Sequence, residues 1–277
     1  MSKKAICSLS MFFLLFAFKA MAGTTEFNEF EKYTADELLD QFDNLSWTSD
    51  GVHSFKVVYV IGAPWCPATK RMYDYHKKNK EGIQFRYIMV SPENGKEVLQ
   101  NKLLSKSRDP KTLDSFFRKG SISGQDSISA QITHDANFET IEKFIEIYEK
   151  KYKHGFGFPT YVFYTETGWE TDWRKFGNIK ERPAETITPL SAKIADEVIN
   201  EYKITSDSFV TKTQANFYAY PSTKATKLFS FSPNSSFKPL AVIELKDKTI
   251  WVKTAAHTFP GGYQSGGWTQ MENLVSR

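Results

Sequence analysis

The sequence contains very little cysteine and has no strong excess of charge of either sign. Two cysteines in 277 residues are too few for a disulfide-stapled scaffold or a zinc-ribbon protein. The 36 basic and 32 acidic residues give no electrostatic footprint for a nucleic acid. The five histidines show no metal-ligand spacing, and no cofactor is expected. Beyond residue 22 no run of 18 apolar residues occurs, so no membrane span is expected there.

Residues 1–22 have the pattern of an export signal. Two lysines precede an apolar run at residues 5–18, and the small residues Ala20 and Ala22 fit a signal peptidase site. An uncleaved membrane anchor is the alternative, although a run of about 14 residues is short for a span. We therefore expect a cleaved signal peptide and a bacterial periplasmic protein.

Removal of this segment changes both the charge and the cysteine count. The segment contains three lysines and no acidic residue, so its removal leaves 33 basic and 32 acidic residues. Cys7 leaves with the signal, and Cys66 then remains as the one thiol in an oxidising compartment. A single cysteine has no internal disulfide partner, which makes Cys66 a candidate reactive group.

The rest of the chain shows two kinds of pattern. From residue 23 to 203, runs of β-branched and aromatic residues alternate with amphipathic helical segments, which predicts an α/β domain whose helices cover a sheet. Residues 208–277 contain short strand-like runs separated by Pro, Gly, Asn and Ser, which predicts a small all-β barrel or sandwich. The boundary is predicted near residues 203–208.

Periodicity and capping residues predict the elements of the first unit. Thr34 and Glu37 form a capping box at the start of its first helix. The predicted helices are 34–42, 66–78, 93–118 with an interruption at Asp109-Pro110, 138–152 and 189–202. The predicted strands are 54–62, 83–90, 158–164 and 169–177. The Ser- and Gly-rich residues 119–135 are predicted to form a loop.

The chemistry of the first unit centres on Cys66, which follows a buried strand and opens a helix. Unpaired backbone N–H groups and the helix dipole favour negative charge at that position, so they favour the thiolate, which is the nucleophilic form. Pro67 suits the first helical turn, where its missing N–H costs nothing. The indole of Trp65 is expected to shield one side of the sulfur.

Two segments of the first unit resemble the thioredoxin superfamily. Trp65-Cys66-Pro67-Ala68-Thr69 stands after a hydrophobic strand, where that family has its W-C-x-x-C site. Gly157-Phe158-Pro159-Thr160 opens a strand about 90 residues later and is similar to the family's cis-proline loop. The helical stretch between residues 91 and 135 is similar to the insertion of the exported Dsb-type disulfide oxidases and isomerases. The resemblance covers roughly residues 30–203.

The resemblance implies a thioredoxin-like fold in which the Phe158–Pro159 peptide bond is cis and lies beside the sulfur. It implies that Cys66 is the nucleophile and that Pro159 positions the substrate. The backbone of Phe158 would then pair with an extended substrate peptide. The residues implied in substrate contact are Trp65, Pro67, Phe158 and Thr160.

The sequence departs from the family at Thr69, which stands where the resolving cysteine is found. Cys66 therefore cannot release a mixed disulfide by internal attack. It retains the capacity to attack a substrate disulfide, to shuffle it as an isomerase, or to be resolved by an outside thiol. The Thr69 hydroxyl is a candidate hydrogen-bond donor to the thiolate. The alternative is that Cys66 is a relic in a fold now used for binding.

Two further features carry weaker signals. His76 lies almost three helical turns beyond Cys66, so we expect it at the surface and out of reach of the sulfur. The glycine pairs Gly261-Gly262 and Gly266-Gly267 are not followed by a helix, which argues against a phosphate-binding loop.

Three segments of the C-terminal unit carry a second resemblance. They are NFYAYPST at 216–223, the strand 249–253 that contains Trp251, and Gly267-Trp268-Thr269. Together they are similar to bacterial SH3-like domains over about residues 210–275, and this resemblance implies a cell-wall or protein ligand. The alternative is that Trp251 and Trp268 are core residues of the barrel.

These patterns predict an exported thioredoxin-like domain with a helical insertion, followed by a small all-β SH3-like barrel. The expected function is thiol–disulfide exchange or isomerisation of exported proteins, with Cys66, Thr69 and Pro159 as catalytic residues. The alternative is a redox-inactive binding or scaffold protein of an envelope assembly of the secretion or conjugation type. The expected partners are therefore exported protein substrates or envelope proteins.

Overall fold

The computed structural model describes residues 27–28, 33–78, 82–91, 98–153, 155–181, 188–258 and 264–276. Over these residues the chain is a mixed α/β structure that combines one mixed sheet with separate antiparallel sheets. The predicted signal peptide at 1–22, with Cys7, lies outside the described residues. Nowhere in the described part is a helix both long enough and apolar enough to cross a membrane.

The elements follow one another in this order along the chain. The helices are α1 (Ala35–Phe42), α2 (Pro67–Lys78), α3 (Val98–Lys106), α4 (Pro110–Lys119), α5 (Ile128–Tyr152) and α6 (Leu190–Asp196). The strands up to residue 201 are β1 (Phe27–Asn28), β2 (Thr48–Ser49), β3 (Lys56–Gly62), β4 (Ile83–Met89), β5 (Thr160–Thr165), β6 (Gly168–Glu170) and β7 (Val198–Glu201). The later strands are β8 (Phe209–Thr211), β9 (Ala215–Tyr218), β10 (Lys227–Phe231), β11 (Ser236–Phe237), β12 (Pro239–Leu245), β13 (Ile250–Thr254), β14 (His257–Thr258), β15 (Gln264–Ser265), β16 (Trp268–Gln270) and β17 (Leu274–Ser276). Short 3-10 helices are Trp173–Asn178 and Met271–Asn273.

A five-stranded mixed sheet in the order β2-β4-β3-β5-β6 forms the centre of the N-terminal unit. β3 and β4 run parallel, with Lys56 opposite Ile83 and Gly62 opposite Met89, whereas β5 runs antiparallel to β3. Both central strands are buried along almost their whole length. A sheet covered on both faces requires such strands, which explains the nearly continuous apolar run that begins at Val57.

Different helices cover the two faces of this sheet. α1 and α5 cover one face, in a buried cluster that includes Leu38, Phe42, Val57, Tyr59, Ile61 and Phe144. α2 and α4 cover the other face, in a buried cluster that includes Val58, Val60, Tyr73, Phe85, Phe116 and Phe117. The alternation of residues 57 to 61 between the two clusters follows from the two-residue period of a strand.

The C-terminal half consists of antiparallel sheets. The largest has seven strands in the order β1-β10-β9-β16-β13-β12-β7, and a three-stranded sheet has the order β11-β8-β17. Trp251 and Trp268 are 3% and 0% exposed, so the prediction that they are core residues is confirmed. Among the described strands no sheet closes into a barrel, because β1 and β7 occupy the two edges of the seven-stranded sheet. The all-β character predicted for this unit is thus confirmed, whereas the predicted barrel is corrected to open antiparallel sheets.

Helix α5 joins the two halves of the molecule. Asp135 in α5 accepts hydrogen bonds from Lys253 of β13 (2.9 Å) and from the indole of Trp268 in β16 (3.1 Å). One turn later, Glu139 accepts from the Ser265 hydroxyl (2.7 Å) and from the Gly266 N–H (3.2 Å). Both sheets therefore share one continuous hydrophobic cluster through this helix.

The predicted strand 169–177 is wrong in part, because β6 ends at Glu170 and Trp173–Asn178 is a 3-10 helix. Two further predicted elements are also wrong in part. The segment 119–135 is not all loop, because α5 begins at Ile128 with the Ser127 side chain accepting a hydrogen bond from the Ala130 N–H. The predicted helix 189–202 is also too long: α6 ends at Asp196, and Val198–Glu201 forms an edge strand on β12. In both places the segment packs against the C-terminal sheet. This tertiary contact, and not the local sequence pattern, decides the secondary structure there.

Candidate functional site

Cys66 lies in the short connection between the carboxyl end of β3 and the first turn of α2. Its N–H donates to the Ala63 carbonyl (3.0 Å), and its own carbonyl accepts from the Lys70 N–H (3.2 Å), which is the first turn of the helix. The side chain is half-buried. The sequence-based expectation that Cys66 opens a helix is confirmed, and Pro67 occupies the first helical position.

The Cys66 thiol contacts the loop before β5, about 90 residues later in the chain. Its Sγ donates to the Phe158 carbonyl at 3.4 Å, and the Phe158–Pro159 peptide bond is cis, as expected. β5 brings this loop to the sulfur, because Thr160 stands opposite Ile61 in the antiparallel pair β3–β5. The Thr160 hydroxyl donates to the Gly157 carbonyl (2.6 Å) and holds the loop closed on itself.

Thr69 does not contact the sulfur by a hydrogen bond in the described structure. Its side chain is 0% exposed, and its Oγ1 accepts from the Ala63 N–H at 3.4 Å. The methyl group lies against Gly62, since a Cβ added to that glycine would be 2.7 Å from Thr69 Cγ2. The hydroxyl therefore supports the backbone turn that carries Cys66, and donation from Thr69 to the thiolate stays a prediction.

A row of aromatic side chains runs from the residue before Cys66 to helix α5. Trp65 is 40% exposed and makes an edge contact with Phe158, with ring centroids 6.3 Å apart. Phe158 packs in turn on Phe156 (5.6 Å), and Phe156 packs on Tyr148 of α5 (5.1 Å). This row connects the loop that contacts the sulfur to α5, and its Trp65 end is exposed to solvent.

Phe156 is a site residue that the sequence reasoning missed. Its N–H donates to Glu149 Oε1 (3.0 Å), which ties the loop to the last turn of α5. The repeated Gly-Phe-Gly-Phe pattern at 155–158 could have indicated this residue. Alternating glycines allow the two phenylalanine rings to lie on the same side of the loop. Pro67, the residue after Cys66, is exposed. The residues predicted to contact the substrate therefore all lie next to Cys66 in the chain or in the loop that begins β5.

His76 is buried, which corrects the expectation of a surface histidine. Its Nδ1 and Nε2 lie 3.1 Å and 3.0 Å from the hydroxyls of Tyr87 and Tyr161, and its ring stacks on Phe85 at 3.6 Å. Burial lowers the pKa of His76 to about 4, so the ring is neutral near pH 7. These partners identify a structural histidine at the far end of α2.

The geometry therefore assembles one nucleophile, an adjacent helix N-terminus and the backbone carbonyl of Phe158. Among the described residues, no group of three or more His, Cys, Asp or Glu side chains is placed to hold a metal ion. The arrangement can present a thiolate to an incoming disulfide. No protein-family model matches the sequence, and no curated protein is significantly similar to it.

Proposed function

We propose that this protein exchanges disulfides through Cys66 and acts as a single-cysteine isomerase of exported proteins. The observation that carries the proposal is the contact of the Cys66 sulfur with the Phe158 carbonyl, next to a cis peptide bond at Pro159. A half-buried thiol at a helix N-terminus, in contact with a loop backbone, suits attack on a disulfide in an extended peptide.

The proposed reaction is balanced without an external oxidant. The Cys66 thiolate attacks one sulfur of a substrate disulfide, a Cys66–substrate disulfide forms, and the other substrate sulfur leaves as a thiolate. A thiolate of the same substrate then attacks the mixed disulfide and releases Cys66. One disulfide is broken and one is formed, so the substrate is rearranged and the protein returns to its starting state.

Thr69 makes rearrangement a better fit than net reduction of the substrate. A second thiol at position 69 would release the substrate by internal attack and leave the protein oxidised. Thr69 has no such chemistry, and its hydroxyl accepts a hydrogen bond from the backbone of Ala63. Release therefore depends on a thiol of the substrate or of a second molecule.

The proposal includes a thioredoxin-like fold for the first unit, an SH3-like module for the second, and export to the periplasm. The parallel pair β3–β4, helix α2 after Cys66 and the cis-Pro159 loop before β5 support the first assignment. The short antiparallel strands from Phe209 onward support the second.

The test is the alkylation rate of Cys66 at neutral pH in the protein without residues 1–22. Cys66→Ser is the blank, and free cysteine is the reference. We expect Cys66 to react faster than free cysteine, because a helix N-terminus favours the thiolate. The same protein should restore activity to a scrambled-disulfide ribonuclease without added oxidant. A rate no faster than that of free cysteine, with no reactivation, would exclude the enzyme.

One observation favours a second candidate, a redox-inactive binding protein of an envelope assembly. Thr69 is completely buried and its hydroxyl accepts a hydrogen bond from the backbone. The position of the second cysteine of a two-cysteine site therefore has a structural role in this chain. In that case Trp65 and Phe158 form a protein contact instead of a substrate site. Cys66→Ser would then leave partner binding unchanged, whereas Trp65→Ala would abolish it.

A further inference from the structure

The helices that cover the two faces of the mixed sheet carry opposite charge. α2 and α4, called the basic helix layer below, contain seven basic and two acidic residues. The basic residues are Lys70, Arg71, Lys77, Lys78, Lys111, Arg118 and Lys119. α1 and α5 contain eight acidic and three basic residues. Positive charge is therefore concentrated on one face of the mixed sheet, although the net charge of the chain is only +4.

Much of this positive charge is available to a partner. Asp114 holds Lys77 and Arg118, and Lys70 donates to the Phe117 carbonyl. The described structure contains no carboxylate within ion-pair distance of the exposed cations Arg71, Lys78, Lys111 and Lys119. Lys111 and Lys119 line one cleft, together with the hydroxyl-bearing residues Ser115, Ser121 and Ser123.

The basic helix layer is continuous with the reactive cysteine. Cys66 precedes the first residue of α2, and the Lys70 N–H closes the first turn on the Cys66 carbonyl. Lys70 and Arg71 therefore lie within the first two turns of the helix that Cys66 opens. Cations next to a reaction site raise the local concentration of anionic substrates and speed their association.

We propose that the basic helix layer selects disulfide substrates whose cysteines are flanked by acidic residues. This inference rests on the proposed function and names its substrate class. The bond that forms joins Cys66 to a substrate sulfur, and the second substrate sulfur leaves as a thiolate. The acidic flanks lie against α2 and α4 while this exchange takes place.

An acidic polypeptide fits this surface better than an anionic membrane does. Surface-binding helices combine basic residues with a row of large apolar side chains that enter the lipid. On α2 and α4 the exposed large hydrophobic side chain is Tyr75, whereas Tyr73, Leu113, Phe116 and Phe117 pack against the sheet. The basic helix layer has charge without an apolar anchor.

The first experiment compares three small disulfides as substrates of Cys66. They are oxidised glutathione, which is anionic, cystamine, which is cationic, and uncharged 2-hydroxyethyl disulfide. Each rate constant is divided by that of 2-mercaptoethanol with the same disulfide. We expect the normalised rate for oxidised glutathione to exceed that for cystamine by about tenfold at low ionic strength, and the ratio to approach one in about 0.5 M salt. A ratio of one or less at low salt overturns the proposal.

Charge reversal on the surface tests the origin of the preference. The double variant Arg71→Glu/Lys119→Glu should lower the ratio by about threefold or more. The double variant Lys224→Glu/Lys246→Glu is the matched control, because it reverses two exposed lysines in loops of the C-terminal half. An equal effect of the control would mean that total charge, and not the basic helix layer, causes the preference.

A second readout separates this inference from the proposed function. Cys66→Ser protein is titrated with a cysteine-free octaglutamate peptide and with phosphatidylglycerol vesicles. We expect the peptide to bind and the double variant to lose binding. Vesicle binding without peptide binding would overturn the proposal in favour of a membrane. If Cys66 is inert towards 2-hydroxyethyl disulfide while the peptide still binds, the exchange function fails and the surface assignment stands.

Discussion

At the scale of single residues, the turn that carries Cys66 depends on the contact between Gly62 and Thr69. Gly62→Ala would place a methyl group 2.7 Å from Thr69 Cγ2 in a fully buried site. Because β-branched Thr69 cannot easily turn away, we expect a loss of about 1–3 kcal/mol of unfolding free energy. Urea unfolding measures this change.

Two variants make the Gly62 experiment specific. Thr69→Ser removes the methyl group that causes the clash, so the double variant Gly62→Ala/Thr69→Ser should recover part of the loss. Gly177→Ala is the control, because nothing lies within 4 Å of a Cβ added there. An unchanged stability of Gly62→Ala alone would show that the turn has more room than the distances indicate.

His76 makes stability depend on pH. Its pKa is about 4 in the fold because of burial, below the usual value of about 6.5 that applies in the unfolded chain. The unfolded chain therefore binds the proton more readily than the folded protein does. The contribution of neutral His76 to the free energy of unfolding is fully present above about pH 6.5 and is lost as the pH falls through about 4. We expect His76→Gln to flatten this part of the profile of unfolding free energy against pH. His53→Gln, at an exposed histidine, should keep the wild-type slope.

At the scale of elements, α5 and the C-terminal sheet are held together by a buried ion pair. Asp135 and Lys253 are 3% and 6% exposed, and the Asp135 carboxylate contacts Lys253 at 2.8 Å. Asp135→Asn would leave the lysine without this charge, and we expect a loss of about 3–5 kcal/mol. The double variant Asp135→Asn/Lys253→Met should be more stable than Asp135→Asn alone. A stability of Asp135→Asn equal to the wild type in urea unfolding would contradict the assigned role.

The same ion pair gives a second pH effect at strongly acidic pH. Burial acts to raise the pKa of Asp135, but the charge of Lys253 and contact with His134 outweigh it and bring the pKa to about 2. The contribution of the Asp135 carboxylate to the free energy of unfolding is therefore present above the usual aspartate pKa of about 3.9, and it is lost as the pH falls through about 2. In acid titrations followed by circular dichroism, Asp135→Asn should lack this part of the transition.

Elements near Cys66 could be predicted from sequence because their signals are local. The buried strand before the cysteine, the helix after it and the Thr34–Glu37 capping box all depend on residues within a few positions, and the structure confirms them. The break at Asp109–Pro110 is also confirmed, since Asp109 caps α4. Capping residues and hydrophobic periodicity are enough to predict an element whose structure depends on its own residues.

The remaining elements depend on partners that are distant in the chain. The first turns of α5 are stabilised by Lys253 and Trp268, which lie more than 100 residues later. β7 is a strand because β12 pairs with it. His76 is buried by tyrosines of two other strands, so its helical spacing from Cys66 gave no sign of this environment.

At the scale of the whole molecule, the two halves are expected to unfold together. β7 of the first half is an edge strand of the C-terminal sheet, and one hydrophobic cluster contains residues of both halves. We expect hydrogen exchange of β3 and β13 amides to report the same free energy of opening, and a fragment of residues 208–277 to remain unfolded. A folded fragment, or two separate unfolding transitions in urea, would show that the halves are independent.

The position of β16 also determines when the fold can form. β16 lies between β9 and β13 in the seven-stranded sheet, so each of these earlier strands lacks one of its two neighbours until Trp268–Gln270 has been synthesised. Trp268 is also one of the donors that holds Asp135 of α5. A nascent chain that has not yet reached Trp268 therefore lacks the centre of this sheet. Such late completion suits the export that we propose, because a chain with an incomplete sheet stays loose enough to thread through a narrow translocation channel.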